Sequence, residues 1–173
     1  MIAGLFAAAL LYADSAQIDC PVTGLTLAER QAFNTYAVDH NVGETDSRFL
    51  PLVAAVARCR QHFGWSEDAA WWARMHALAA TGEAVMRQRL VARGLRLDAL
   101  ERAIAADTTF TRSMDEGGGG RAVADFFFSH GEILNPLVRE VAESERRAAA
   151  LELSDFIGLY ALAMLSRAHF VAS

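Results

Sequence analysis

The stretch SEDAAWWARMHALAATGEAVMRQRLVAR, residues Ser66–Arg93, decides the fold of this chain. Ser66 precedes two acidic residues and is a typical helix N-cap, and Gly94 is typical of the left-handed position just past a helix end. The stretch contains no proline. It therefore predicts one helix of about 27 residues and about 40 Å, enough for the long axis of a small domain.

Apolar residues lie on two opposite sides of this predicted helix. At 100° per residue, one side gathers the larger residues and the far side carries a row of alanines. The alanine row could be an exposed, helix-favouring surface or a flat groove for a second helix, and we expect partial burial on both sides. The larger residues are Trp71, Trp72, Met75, Leu78, Ala79, Gly82, Val85, Met86 and Leu90, and the alanines are Ala70, Ala73, Ala77, Ala80 and Ala84.

The composition limits both the fold class and the function. The 173 residues are 53% apolar, much of this is alanine, and β-branched runs are almost absent, which favours helices throughout a single domain. The net charge of −5 disfavours a nucleic-acid binder, which needs a basic stripe. All 16 basic residues are arginine, and this excludes a Schiff-base lysine and a Walker A phosphate loop.

Cap and turn signals divide the rest of the chain into shorter helices. A capping box at Thr26 starts a helix that runs to about His40, and another helix starts between Ser47 and Pro51 and stops at Gly64. A second capping box, residues 98–101, follows the long helix.

The C-terminal part of the chain supplies the second long apolar element. A short helix over 121–130 precedes Asn135 and Pro136, which we interpret as the N-cap and first residue of a segment that reaches about residue 170. Whether that segment is one helix or two stays open. Its uncharged part, 156–165, should lie in the core. We predict an all-α bundle of five to six helices around the central helix, about 66–93, and this apolar C-terminal helix.

The N-terminal residues 1–15 match a secretory signal peptide, which leaves residues 16–173 as a single helical domain. An apolar run of eleven residues precedes Ala13 and Ser15, which are small enough for a cleavage site. No arginine or lysine precedes the run, so the alternative is a buried N-terminal helix of a cytoplasmic protein. The run is too short to cross a bilayer. We therefore predict a periplasmic or secreted protein without a transmembrane span.

The chain has two cysteines, Cys20 and Cys59. An even number of cysteines after a signal-like segment indicates one disulfide, and the alternative is two unpaired thiols. Closing a loop of about 40 residues would contribute about 4 kcal/mol in the chain-entropy model.

The histidines are the first candidates for chemistry. His40, His62, His130 and His169 each fall in the last turn of a predicted helix, where the helix dipole favours a cation. Only His76 lies in mid-helix. His130 with Glu132 across Gly131 is weak evidence for an acid/base pair, and no metal or haem motif occurs. We assign no catalytic residue, no metal ligand and no cofactor.

The aromatic residues suggest an apolar pocket between helices, with plain core packing as the alternative. Three adjacent phenylalanines cannot all face inward from one helix, so we expect at least one to be partly exposed at a pocket or a protein interface. The candidate pocket residues are Trp71, Trp72, Met75, His76, Phe126, Phe127 and His130.

Several short motifs in this chain are similar to motifs of a known set of proteins. They are, after the signal-like segment, Cys20-Pro21-Val22-Thr23, Ala28-Glu29-Arg30, Cys59 followed by His62-Phe63-Gly64-Trp65-Ser66, and Gly94 with Asp98-Ala99-Leu100-Glu101. Over residues 17–102 the chain resembles a loose set of small exported helical proteins of Gram-negative bacteria. The resemblance implies an all-helical exported domain. It carries over no activity and no site residue, because none is established for that set.

The sequence leaves three classes of function open. Our leading interpretation is a non-catalytic binding or interaction protein of the cell envelope, with a protein partner or as a homodimer. The alternative is a carrier of a small apolar ligand or cofactor in the inter-helix aromatic pocket. A third is an enzyme whose histidine–carboxylate pair comes from distant segments of the chain.

Overall fold

The structure, a computed structural model, describes residues 16–39 and 43–173, and the signal peptide predicted for 1–15 lies outside these ranges. The part that it describes contains helices and no strand, which confirms the all-α prediction. The helices are α1 (Cys20–Thr23), α2 (Leu27–Tyr36), α3 (Leu50–Phe63), α4 (Glu67–Ala92), α5 (Asp98–Ala106), α6 (Thr108–Asp115), α7 (Gly119–Ser129), α8 (Gly131–Glu140), a 3-10 turn (Glu143–Glu145) and α9 (Arg146–Ala172).

Helices α4 and α9 form the axis of the fold and pack side by side along most of their lengths. The predicted central helix is confirmed: the Ser66 hydroxyl accepts a hydrogen bond from the Ala69 amide at 2.9 Å, and Gly94 has a φ of +90°. The two helices run antiparallel, since His76 in α4 contacts Ala163 in α9 whereas the later Arg93 contacts the earlier Glu152. Helix α9 continues without interruption through the serine at 154.

Both sides of α4 are partly buried, as expected from the sequence. Ala73 and Ala77 of the alanine row lie in the core, and so do Met86 and Leu90 on the other side. Trp71, on the side of the larger residues, is only partly buried, since 43% of its surface is exposed. Apolar residues surround α4 on most sides, so its periodicity does not indicate which of them face solvent.

The buried side chains form two clusters, one at each end of the α4–α9 pair. The first joins α1, α2 and α3 to the N-terminal half of α4 and to Phe170 at the end of α9. The second joins the C-terminal half of α4 to α5–α8 and to the first half of α9. Phe156, Ile157 and Ala161 of α9 are fully buried in this second cluster and the rest of the uncharged stretch is partly buried, so the expectation that this stretch lies in the core is confirmed in part.

The disulfide between Cys20 and Cys59 is present and fastens α1 to α3, with 6.2 Å between the two Cα atoms. This confirms the predicted pairing. The capping box at the start of α2 is also confirmed, because Thr26 and Glu29 exchange side-chain and backbone hydrogen bonds. A disulfide persists in oxidising compartments and is rare in the reducing cytosol.

Three predicted helix boundaries are wrong. Asp98 is the first residue of α5 and not its cap, since the N-cap position is Leu97 and no side chain caps this helix. Gly131 begins α8 instead of ending a helix, and Pro136 lies inside α8. Burial of Leu134 and Leu137 stabilises α8 around this proline, although the ring removes one backbone donor.

The predicted C-terminal segment is divided after α8, where the backbone at Val141 is extended. Such divisions explain why the described chain has more helices than the five or six predicted. By length and composition alone, the segment Glu143–Ala172 could cross a membrane, with a mean hydropathy of 1.5 over 18 residues. The core helix of a soluble protein passes the same test, so the absence of a span stays a prediction.

Candidate binding groove and buried histidine

Of the residues predicted to line one aromatic pocket, Trp72 packs in one core cluster, whereas Phe126 and Phe127 pack in the other. The Trp72 ring packs against the first cluster, stacks on His169 with the ring centres 4.2 Å apart, and meets the Trp71 ring edge to face at 4.3 Å. Phe126 belongs to the second cluster, where its ring stacks on His130 at 4.1 Å. Phe127 packs against the second cluster, and Met75 is half-buried on α4.

The three consecutive phenylalanines divide as expected. Phe126 is buried, Phe127 is partly buried, and Phe128 is 88% exposed. The expectation that at least one faces solvent is therefore confirmed.

A groove of about 610 Å³ lies between α3 and α4, and we call it the Trp71 groove. The chain passes from α3 to α4 in a short turn at Gly64, whose φ of +71° favours glycine. This turn places α4 next to α3, and the groove lies between the two helices. The groove is lined by Val53, Val56, Ala57, Arg60, Gln61, Gly64, Trp65, Ala70, Trp71 and Arg74.

One end of the Trp71 groove is held rigidly by Trp65. The Trp65 indole is buried, and its Nε1 donates to the side-chain oxygen of Gln17 at 3.1 Å. Its ring stacks on Phe63 and meets Phe170 edge to face. Trp71, by contrast, is 43% exposed. The groove is therefore lined by one buried tryptophan, Trp65, and by one that is partly open to solvent, Trp71.

The charged residues that line the Trp71 groove, Arg60 and Arg74, are both positive, although the whole chain has a net charge of −5. Arg60 pairs with Glu67 at 3.1 Å, and Arg74 lies 3.6 Å from Glu44. Both glutamates are largely exposed. Exposed pairs of this kind contribute only about 0–1 kcal/mol, so either arginine can turn to another carboxylate at little cost.

His76 is the one mid-helix histidine that the sequence singled out, and only 5% of it is exposed. Its Nδ1 lies 3.0 Å from the carbonyl oxygen of Ala163. A carbonyl only accepts, so Nδ1 carries the proton and donates. Its Nε2 lies 3.4 Å from the Asp19 carboxylate, at the wall of a second groove of about 360 Å³ between α4 and the segment 19–34.

Burial is the largest influence on the imidazole of His76, and it lowers the pKa below 6.5. The bond to Ala163 and the Asp19 carboxylate act in the opposite direction, while Arg167 lowers the pKa further. The ring is therefore neutral at pH 7, and its free lone pair points to a carboxylate. In a hydrolase triad the carboxylate holds Nδ1–H and leaves Nε2 for the nucleophile, so this geometry does not match one.

The other described histidines lie at helix ends, as expected, and His40 lies outside the described residues. Nε2 of His130 lies 3.8 Å from a carboxylate oxygen of Asp107. His169 contacts Asp115 at 2.6 Å. Within residues 16–39 and 43–173, no group of three or more His, Cys, Asp or Glu side chains could hold a metal ion.

Trp71 and His76 stand out in the sequence, but most of the charged groups that lie beside them in the structure do not. Arg60 lies on α3 and Asp19 at the start of α1, so no local motif joins either of them to α4. Arg74, by contrast, lies on α4 itself, three residues after Trp71. Two signals for the groove were available in the sequence: the i,i+3 spacing of Trp71 and Arg74 on α4, and the apolar residues of α3 with Arg60 near its end.

Comparison of the chain with protein-family models, with curated proteins and with solved structures finds no match.

Proposed function

We propose that this chain is a non-catalytic binding protein of an oxidising compartment outside the cytoplasm, and that its Trp71 groove binds a small amphipathic carboxylate. The observation that carries the proposal is the combination of an exposed tryptophan, an apolar floor and two arginines in one groove. A carboxylate on a single alkyl chain has the matching chemistry.

The size and lining of the groove suit a small molecule. Ligand pockets in proteins usually enclose about 300–1,000 Å³ and are mainly apolar with a few polar groups. The alkyl chain would lie along Val53, Ala57 and Ala70 and under the ring of Trp71. Burial of each methylene group contributes about 0.8 kcal/mol, so a chain of several carbons supplies most of the affinity.

The charge of the groove decides which head group it takes. Arg60 and Arg74 each present a planar guanidinium that can bind a carboxylate through two hydrogen bonds. Their present partners, Glu67 and Glu44, are exposed and easily displaced. A cationic head group on the same alkyl chain would be repelled by both arginines.

The disulfide and the predicted signal peptide both support the proposed compartment. The bond between Cys20 and Cys59 is suited to an oxidising environment. A signal peptide over residues 1–15 would deliver the domain there, so we propose a periplasmic or secreted protein. The prediction of a protein partner or homodimer is not needed for this function.

Calorimetric titration of the oxidised full chain tests the proposed ligand. Decanoate, below its micelle concentration, should bind, and decyltrimethylammonium, which has the same tail and the opposite charge, should bind much more weakly. Loss of charge-assisted hydrogen bonds weakens binding by about 1.5–3 kcal/mol, so Arg60→Gln with Arg74→Gln should raise the Kd for decanoate at least tenfold.

Arg121→Gln is the matched control, since Arg121 is an exposed arginine on α7, away from the groove. It should leave the decanoate Kd unchanged. Absence of decanoate binding, equal binding of the two detergents, or an equal effect of the control variant would each reject an amphipathic carboxylate as the occupant.

A further inference from the structure

Helix α1 is fastened to the rest of the protein at two consecutive residues. Cys20 is bonded to Cys59 of α3. Asp19, the N-cap residue of α1, reaches both axial helices: one carboxylate oxygen lies 3.4 Å from Nε2 of His76 in α4, and the other lies 3.5 Å from a guanidinium nitrogen of Arg167 in α9. The first fastening is covalent, and the second depends on charge.

Protonation of His76 changes the contact between Asp19 and His76 from a repulsive to an attractive one. Because Nδ1 of His76 donates to Ala163, the neutral ring offers only the lone pair of Nε2 to the carboxylate. Two acceptors then face each other and make no hydrogen bond. A proton taken up from solvent on Nε2 converts the same contact into a charge-assisted hydrogen bond from His76 to Asp19.

We propose that Asp19, His76 and Arg167 form a proton-controlled clasp that holds α1 against α4 and α9 more tightly in acid than at neutral pH. The clasp is independent of the proposed ligand, because Asp19 and His76 line a different groove and none of the three residues lines the Trp71 groove. If the environment outside the cytoplasm became more acidic, the clasp would restrain α1 more tightly.

The charged groups around His76 set the pH at which the clasp closes. Asp19 faces it from the start of α1, Arg167 from α9, and Arg30 of α2 lines the same groove. The buried position opposes protonation most strongly, Arg167 opposes it as well, and Asp19 favours it. The clasp therefore closes only below pH 6.5, the ordinary pKa of histidine.

Protonation of His76 restrains α1 locally, but it lowers the free energy of unfolding of the whole protein. Locally, the new hydrogen bond restrains α1. Globally, the charge on a buried ring lowers the free energy of unfolding, because the unfolded chain binds the proton more readily. A histidine that only fills space in the core would produce the global effect without the local one.

The test is an NMR titration of the His76 ring in the oxidised full chain and in three single variants. Asp19→Asn should lower the pKa of His76, because the carboxylate that stabilises the imidazolium is lost. Arg167→Gln should raise it, because a repelling cation is lost. Asp98→Asn, a change at an exposed carboxylate on α5, should leave it unchanged. An unchanged His76 pKa in Asp19→Asn overturns the proposal.

Amide hydrogen exchange supplies the readout of the clasp itself. The Thr23 and Gly24 amides donate to the carbonyl oxygens of Asp19 and Cys20. After correction for intrinsic rates, their protection should increase as the pH falls through the His76 titration in the wild type, and should not change there in Asp19→Asn. Asp19 is a half-exposed residue, so this variant is expected to fold. Equal pH dependence in both proteins overturns the proposal.

Discussion

Gly82 of α4 offers the sharpest test of how closely the central helices approach their neighbours. A Cβ atom at this position would lie 2.9 Å from the carbonyl oxygen of Ala37 and 3.0 Å from Cδ1 of Leu159. Real Cβ atoms essentially never come this close to a backbone oxygen. The substitution Gly82→Ala therefore forces a shift of the backbone after α2, of α9, or of both.

The magnitude follows from two opposing effects. Alanine in a helix interior is more favourable than glycine by about 1 kcal/mol. Overpacking in a close-packed interior costs about 1–3 kcal/mol. Gly158 of α9 isolates the first effect, because a Cβ atom there meets only Val123, at an ordinary contact distance of 3.5 Å. Gly158→Ala should therefore stabilise the protein by about 1 kcal/mol.

Urea unfolding of the two variants and the wild type, followed by circular dichroism, measures the difference. Gly82→Ala should be less stable than Gly158→Ala by about 1–3 kcal/mol, which is the cost of the close approach alone. If Gly82→Ala gains as much stability as Gly158→Ala, the packing of α4 against Ala37 and Leu159 is not as described and the reasoning is refuted.

Three further predictions concern the disulfide, the buried histidine and a helix cap. Replacing Cys20 and Cys59 by serine removes a cross-link between residues 39 apart and should lower the free energy of unfolding by about 4 kcal/mol in urea titrations; a loss below about 1 kcal/mol would contradict the chain-entropy account. Because burial lowers the pKa of His76, its contribution to stability is complete above pH 6.5 and is lost as the pH falls from there towards the folded-state pKa. The urea midpoint of the wild type should fall more steeply between pH 7.5 and 5 than that of His76→Gln, and parallel curves would show that His76 does not titrate differently on unfolding. Thr26→Ala should cost about 1 kcal/mol through loss of the capping box on α2. Thr35→Ala, a change at an exposed threonine within the same helix, should not lower the stability, because alanine has the higher helix propensity, and an equal loss at both positions would contradict the cap.

The features that the sequence predicted are those fixed by local chemistry. The Ser66 cap, the turn at Gly64 and the capping box at Thr26 each depend on residues within one helical turn. The disulfide was predictable because the chain has only two cysteines. The central position of α4 followed from its length and from the apolar residues on its opposite sides.

The features that it did not predict depend on tertiary contacts. Pro136 is a typical first residue of a helix, and only the packing of the neighbouring leucines places it inside α8. The exposure of Trp71 depends on where α3 lies, which the periodicity of α4 does not specify. Likewise, Asp19 reaches His76 because the disulfide and the core bring α1 onto α4, and no sequence spacing marks that pair.

The position of the ligand tests the proposed function most directly. Intermolecular nuclear Overhauser effects, recorded on the oxidised full chain with decanoate, report which side chains lie within a few ångströms of the alkyl chain. We expect contacts from the methylene protons to the Trp71 ring and the Val53 methyl groups, which line the same groove. Contacts with the exposed ring of Phe128 in place of Trp71 would show that decanoate only adheres to exposed aromatic surface, and would contradict the proposed function.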